Sequence, residues 1–164
     1  MNAVRNIYFV RHGQTDANVG HIAQGTDSQL TEEGKAQAQR VGKRLRDISF
    51  DLIITSPYKR AQQTAALIKE HSEHESEVQI LEALHERVKP AALTGIPSKS
   101  PEYQDYNRQL VDNAANSSFR VDGGENFADL VARAKEAIDY ITNHTQGDVV
   151  AVSHGYFLRV LFGY

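Results

Sequence analysis

Two segments of the 164-residue chain, FDLIIT at 50–55 and DVVAVS at 148–153, carry apolar side chains at nearly every position of a short run. A strand with one wet face would alternate; these do not, which predicts strands covered on both faces, as in parallel sheets layered between helices. Asn6 to Val10 reads as another strand and VQIL at 78–81 as a further short one. Helical spacing fills the gaps. Thr31 is an N-cap candidate for about four turns with Gly34, Ala38, Val41, Leu45 and Ile48 on one face. Ser56 and Pro57 read as N-cap and first position of a helix whose inner face is Ala61, Ala65 and Ile68. Phe127, Leu130, Val131, Ala134, Ile138 and Ile141 mark the clearest amphipathic helix, and Gly155 to Leu161 begins a last one.

This order predicts an α/β fold of three layers, α/β/α, with a mostly parallel central sheet and right-handed crossovers. Residues 1–164 form a single domain, since no linker, internal repeat or low-complexity tract divides them. Pro90, Pro97 and Pro101 break the stretch 85–122 into a loop-rich excursion with a helical segment around 101–111.

In open α/β sheets, ligands bind beyond the carboxyl ends of the strands. Arg11 and His12 follow the first predicted strand, Arg60 lies one turn beyond the second, Glu86 comes after the third and His154 after the fourth. All five fall on one edge of the sheet. Two permanently charged guanidinium forks suit phosphate or carboxylate oxygens, so the site should hold an oxyanion. Gly13 would let backbone approach a ligand, and Gly155 at a helix start would offer free amides to an anion. A histidine in such a cluster can act as a neutral nucleophile if a backbone carbonyl fixes its other ring nitrogen, and Glu86 can carry the proton. A net charge of −3 argues against broad nucleic-acid binding, and the lack of cysteine excludes thiol nucleophiles and thiolate metal sites. The short apolar run after Arg5 is no signal-peptide core or membrane span, which makes the cytoplasm the expected location, with no membrane partner.

RHGQT at 11–15, TSPYKRAQQT at 55–64, LHER at 84–87, GGENF at 123–127 and VSHG at 152–155 are collinear and span nearly the whole chain. Together they resemble the histidine phosphatase superfamily, the phosphoglycerate mutase-like proteins. The resemblance implies that His12 takes up the phosphoryl group, that Arg11, Arg60 and His154 bind its oxygens, and that Glu86 protonates the leaving oxygen and then activates water. Asn18 and Gln24 occupy positions that often line the pocket. Fixed cationic side chains can neutralise the phosphoryl oxygens as metals do elsewhere, so no metal or other cofactor is expected. The substrate expected is a small phosphorylated metabolite. The short excursion after Glu86 favours a phosphatase over a phosphoglycerate mutase; a catalytically weak phosphate-binding or interaction module is the alternative from outside enzymology. Relatives usually continue beyond the helix in which this chain ends at Tyr164. The resemblance therefore implies a form shortened at its C-terminus, with the first strand left as an exposed edge open to self-association.

Other candidates have plainer readings. Only the family pattern selects Glu86 over Glu82. His71 and His74 could in principle share a metal on one helical face, but a solvated helix end is much the favoured reading. His21, His85 and His144 have no partner pattern, and no nucleophile elbow surrounds Ser153. Tyr103, Tyr106, Lys99 and Arg108, within the excursion, are candidate substrate contacts or ordinary surface and core residues.

Overall fold

A computed structural model describes residues 6–73 and 75–163. The strands β1 (Ile7–Arg11), β2 (Phe50–Thr55), β3 (Glu77–Ile80) and β4 (Asp148–Ser153) are all parallel, in the order β1-β4-β2-β3. The helices are α1 (Asp16–Val19), α2 (Glu32–Leu45), α3 (Lys59–Glu70), α4 (Pro101–Asp112), α5 (Phe127–His144) and α6 (Gly155–Gly163). The unbroken apolar runs are the two central strands, β4 and β2. Val149 and Ala151 of β4 meet Leu130, Ala134 and Ile141 of α5 and Phe157 of α6, while Val150 and Val152 meet Leu45 of α2 and Ala61, Ala65 and Ile68 of α3. Helices therefore cover both faces, the three-layer α/β arrangement expected. β1 is one edge of the described sheet. No described helix is long and apolar enough to cross a membrane.

The helix starts follow local chemistry. Thr31 caps α2 by accepting from the Gly34 amide at 3.0 Å, with Glu32 and Glu33 in the first turn and Lys43 and Arg44 in the last, matching the helix dipole. Ser100 caps α4 and Pro101 occupies its first turn, so the third proline of the excursion opens a helix instead of breaking one. Asn126 and Asp129 form a reciprocal capping box at the start of α5. Two details differ from the sequence expectation. Helix α3 begins at Lys59 with Tyr58 as an N-cap that makes no side-chain bond, because the hydroxyl of Ser56 is used elsewhere. Phe127, placed on the inner face by its spacing, is 50 % exposed; the buried stripe of α5 is Leu130, Ala134, Ala137 and Ile141.

Gly13 has a structural reason distinct from ligand approach. A Cβ on Gly13 would sit 2.3 Å from the carbonyl oxygen of Gly34, and one on Gly34 would sit 2.0 Å from that of Gln14. The start of α2 thus lies directly against the backbone that follows His12, a contact that excludes any side chain. Gly13→Ala and Gly34→Ala should each lose about 2–4 kcal/mol in denaturant unfolding. Gly163→Ala, where nothing lies within 4 Å of the added methyl, should be neutral or gain up to about 1 kcal/mol.

Candidate active site

Strand register assembles the site. Arg11 pairs with Ser153 across β1 and β4, so the residues that follow, His12 and His154, emerge side by side with ring centroids 5.1 Å apart. The His12 amide donates to the Ser153 carbonyl and the Ser56 amide to that of Val152, both at 3.0 Å, which extends the ladder to the last residue before each functional side chain. Arg60, in the first turn of α3, is 1 % exposed and reaches across to His12.

The His12 ring has one available tautomer. Its Nδ1 lies 2.7 Å from the carbonyl oxygen of Gly13, which can only accept, so Nδ1 carries the hydrogen. Nε2 is left as a bare lone pair that accepts from Arg60 Nε at 3.3 Å. Burial lowers the His12 pKa to about 4; the Gly13 carbonyl pulls the other way, and the charges of Arg60 and Arg11 add to the lowering. His154 is fully buried, and its pKa is driven far below the ordinary histidine range by burial first and by Arg60 next. Its Nε2 lies 2.7 Å from Ser56 Oγ, which already accepts the Tyr58 amide at 3.2 Å. The Ser56 hydroxyl can donate to Nε2 or accept from it, and His154 Nδ1 is buried with no partner among the described residues. In the tautomer where Ser56 donates, the ring hydrogen sits on Nδ1, next to His12.

Arg60 lines a cavity of about 550 Å³, together with Tyr58, Asn18, Gln24, Glu86, Arg87, Lys89, His21 and Tyr103. Its Nη1 donates to the Gly25 carbonyl at 2.8 Å, and its guanidinium lies 5.0 Å over the Tyr58 ring; no carboxylate makes an ion pair with it among the described residues, although the charge of Glu86 favours its protonated form. Asn18 and Gln24 reach this cavity as expected, and both side chains also hold Thr15: Asn18 Oδ1 accepts its amide at 3.0 Å, and Gln24 Oε1 lies 2.9 Å from its hydroxyl. Arg11 is exposed and lies on the other side of the histidines, in a groove with Gly155, Leu158 and Phe162. A Cβ on Gly155 would come within 3.2 Å of Arg11 Nε, so this glycine makes room for the guanidinium.

The start of α6 also departs from the sequence reading. Its Tyr156 and Phe157 amides are not free; they donate to Glu86 Oε2 at 3.2 Å and Oε1 at 3.0 Å. Oε1 accepts the Arg87 amide as well, at 2.9 Å, so the open acceptor position is on Oε2. The loop that carries Glu86 is clamped by Arg133 of α5. Arg133 makes two 2.9 Å bonds to the Glu125 carboxylate and donates to the Ala83 and His85 carbonyls at 2.9 and 2.7 Å, with its guanidinium 4.4 Å over the Phe157 ring. Glu125 Oε2 accepts the Val88 amide at 2.8 Å, so the pair grips the loop on both sides of Glu86.

These features coincide with a known family. The profile of the histidine phosphatase superfamily, branch 1, matches residues 7–164. The chain belongs to this superfamily. A broad-specificity phosphatase of Saccharomyces cerevisiae is 32 % identical over 98 % of this chain and 70 % of its own length. Among solved structures, the alpha-ribazole phosphatase of Shigella flexneri superposes with a TM-score of 0.80 at 27 % identity, over 96 % of this chain and 77 % of that one. The phosphoglycerate mutase of Bacillus anthracis gives 0.78 at 27 % identity, over 96 % and 78 %. This histidine phosphatase member therefore resembles hydrolases and a mutase alike.

Several site residues were not found by sequence reasoning. Arg133 has a visible signal, since it falls three residues after Leu130 and four before Ala137, inside the apolar stripe of its helix, where an unpaired charge would be costly. Ser56 was read as a cap, and Lys89 and Arg87 passed unread although both line the cavity. Of the weaker candidates, Tyr103 lines the cavity, Tyr106 is buried beneath Arg87, and Lys99 and Arg108 are exposed, Arg108 paired with Asp105. His74 lies outside the described residues, and no cluster of three metal-binding side chains occurs among those described.

Burial sets the sign of two measurable effects. His12 is neutral in the folded protein down to about pH 4 but titrates near 6.5 when unfolded, so stability falls as pH drops between those values. That loss amounts to about 3 kcal/mol if the whole shift is expressed. Nitrogen-15 NMR should find His12 uncharged at pH 5 with its hydrogen on Nδ1. The same spectra should show His154 protonated on Nδ1, and Ser56→Ala should shift its hydrogen toward Nε2.

Proposed function

We propose that this protein hydrolyses phosphomonoesters, without a metal ion, through a phosphohistidine formed on Nε2 of His12. The observation that carries this reading is the unprotonated Nε2 lone pair of a neutral His12, held against a buried arginine that lines a cavity and has no ion-pair partner among the described residues. In the first step Nε2 attacks phosphorus, the bond to the ester oxygen breaks, and that oxygen takes a proton from Glu86 Oε2, releasing the alcohol. The Gly13 carbonyl supports the positive ring that results. In the second step Glu86 takes a proton from water, the oxygen attacks phosphorus, and the P–N electron pair returns to Nε2 as inorganic phosphate leaves. Arg60, with the Nδ1 hydrogen of His154, balances charge on the phosphoryl oxygens, while Arg11, in the neighbouring groove, adds a positive charge felt at His12 and Arg60; such fixed donors supply most of the catalysis in phosphoryl transfer.

Two features favour hydrolysis over transfer. The cavity of about 550 Å³ lined by Arg60, the residue bonded to His12, and by Glu86 has ample space for water, whose share of liquid volume is about 30 Å³. The excursion from 85 to 122 contributes one α-helix, α4, of which Tyr103 lines the cavity. Phosphoglycerate mutase activity is the second reading, supported by the similarity to the Bacillus anthracis enzyme. Product analysis separates the two: inorganic phosphate from a phosphoglycerate supports hydrolysis, and an isomeric phosphoglycerate supports transfer.

Hydrolysis of an aryl phosphate should persist with a chelator present and fall at least about 1000-fold in His12→Ala. Glu86→Gln should cost about 100-fold or more with an alkyl phosphate, whose leaving oxygen needs the proton, and under tenfold with a nitrophenyl ester, whose leaving oxygen does not. Equal losses for the two esters would remove Glu86 as the acid.

A further inference from the structure

The charged lining of the cavity is unequal: Arg60, Arg87 and Lys89 face a single carboxylate, that of Glu86. Three of these four groups are already engaged. Glu86 is held by three backbone amides. Arg60 is held against His12 and Gly25. Arg87 donates to the Tyr156 hydroxyl and the Glu125 carbonyl, both at 3.2 Å, and lies over the rings of Tyr156 and Tyr106. Lys89 differs from all of them. Among the described residues its ammonium makes no hydrogen bond and no ion pair, although the side chain is half-buried and reaches the cavity. Its loop is not loose: Glu125 holds both the amide and the carbonyl of Val88 on one side, and on the other the Pro90 carbonyl accepts the Leu93 amide. A cation held in a concave, partly desolvated place without a counter-ion is unfavourable until an anion arrives. Burial lowers the Lys89 pKa, and Arg87 and Arg60 add to the lowering against the pull of Glu86.

We propose that Lys89 binds a second anionic group of the substrate, a carboxylate or a further phosphoryl group, and so selects phosphomonoesters that carry one. This rests on the phosphomonoesterase reading only for its choice of ligand, and it is tested by binding so that turnover is not required.

Three esters of a three-carbon alcohol serve as probes: 3-hydroxypropyl phosphate, 2-carboxyethyl phosphate and propane-1,3-diyl bisphosphate. Calorimetry on His12→Ala should give at least about tenfold tighter binding of one or both acidic esters than of the neutral one, the scale of about 1.4 kcal/mol. Adding Lys89→Met should bring the ratio close to one, and Lys89→Arg should keep most of it. The two acidic esters distinguish carboxylate from phosphoryl recognition. Equal binding of all three, or a preference that survives Lys89→Met, would overturn the proposal. Loss of aryl phosphatase activity in the wild type, with the ester preference intact, would count against the hydrolase reading alone.

Discussion

A guanidinium buried without a carboxylate governs this site. Arg60 is 1 % exposed and satisfies itself with a ring nitrogen, a carbonyl and the face of Tyr58. An ion in that position costs several kcal/mol unless its surroundings compensate, and here the protein compensates only in part. The consequences spread outward. Both neighbouring histidines stay neutral, His12 and His154 alike, chiefly because they are buried, and the charge of Arg60 adds to the same effect. An anionic ligand would complete the balance. On the proposed function, the same arginine that destabilises the pocket would give it affinity for a phosphoryl group.

The fold delivers this arrangement through two devices. Parallel register ends four strands at one level, so the residues after β1, β2 and β4 are neighbours without any long side-chain reach. The region after β3 is irregular and needs a clamp. Arg133 and Glu125, both nearly buried, hold the carbonyls and amides on either side of Glu86 and place its carboxylate on the first turn of α6. Helix α6 therefore directs its N-terminal amides at the Glu86 carboxylate while its first glycine leaves room for Arg11.

Sheet order and the placement of His12, Arg60, Glu86 and His154 were legible because each depends on chain order and apolar patterning, which a sequence displays directly. Ser56, Lys89 and Gly13 were not, for a common reason. Ser56 followed by proline has the pattern of a helix cap, and only the position of His154, 98 residues away, reveals its other use. Gly13 next to a histidine in a candidate anion site suggests ligand approach, whereas its real neighbour is the backbone of Gly34. A lysine in a proline-bounded loop has no periodicity to interrupt, so Lys89 becomes informative only when its lack of a partner is seen in three dimensions.

The most direct test is to find where the phosphoryl group sits during turnover. Rapid mixing with a phosphomonoester, an alkaline quench and phosphorus NMR of the intact chain would distinguish the two phosphohistidine isomers. The account predicts phosphate on Nε2 of His12, the nitrogen left bare by the Gly13 carbonyl, and none in His12→Ala. Phosphate on Nδ1, or burst turnover with no phosphohistidine formed, would contradict it.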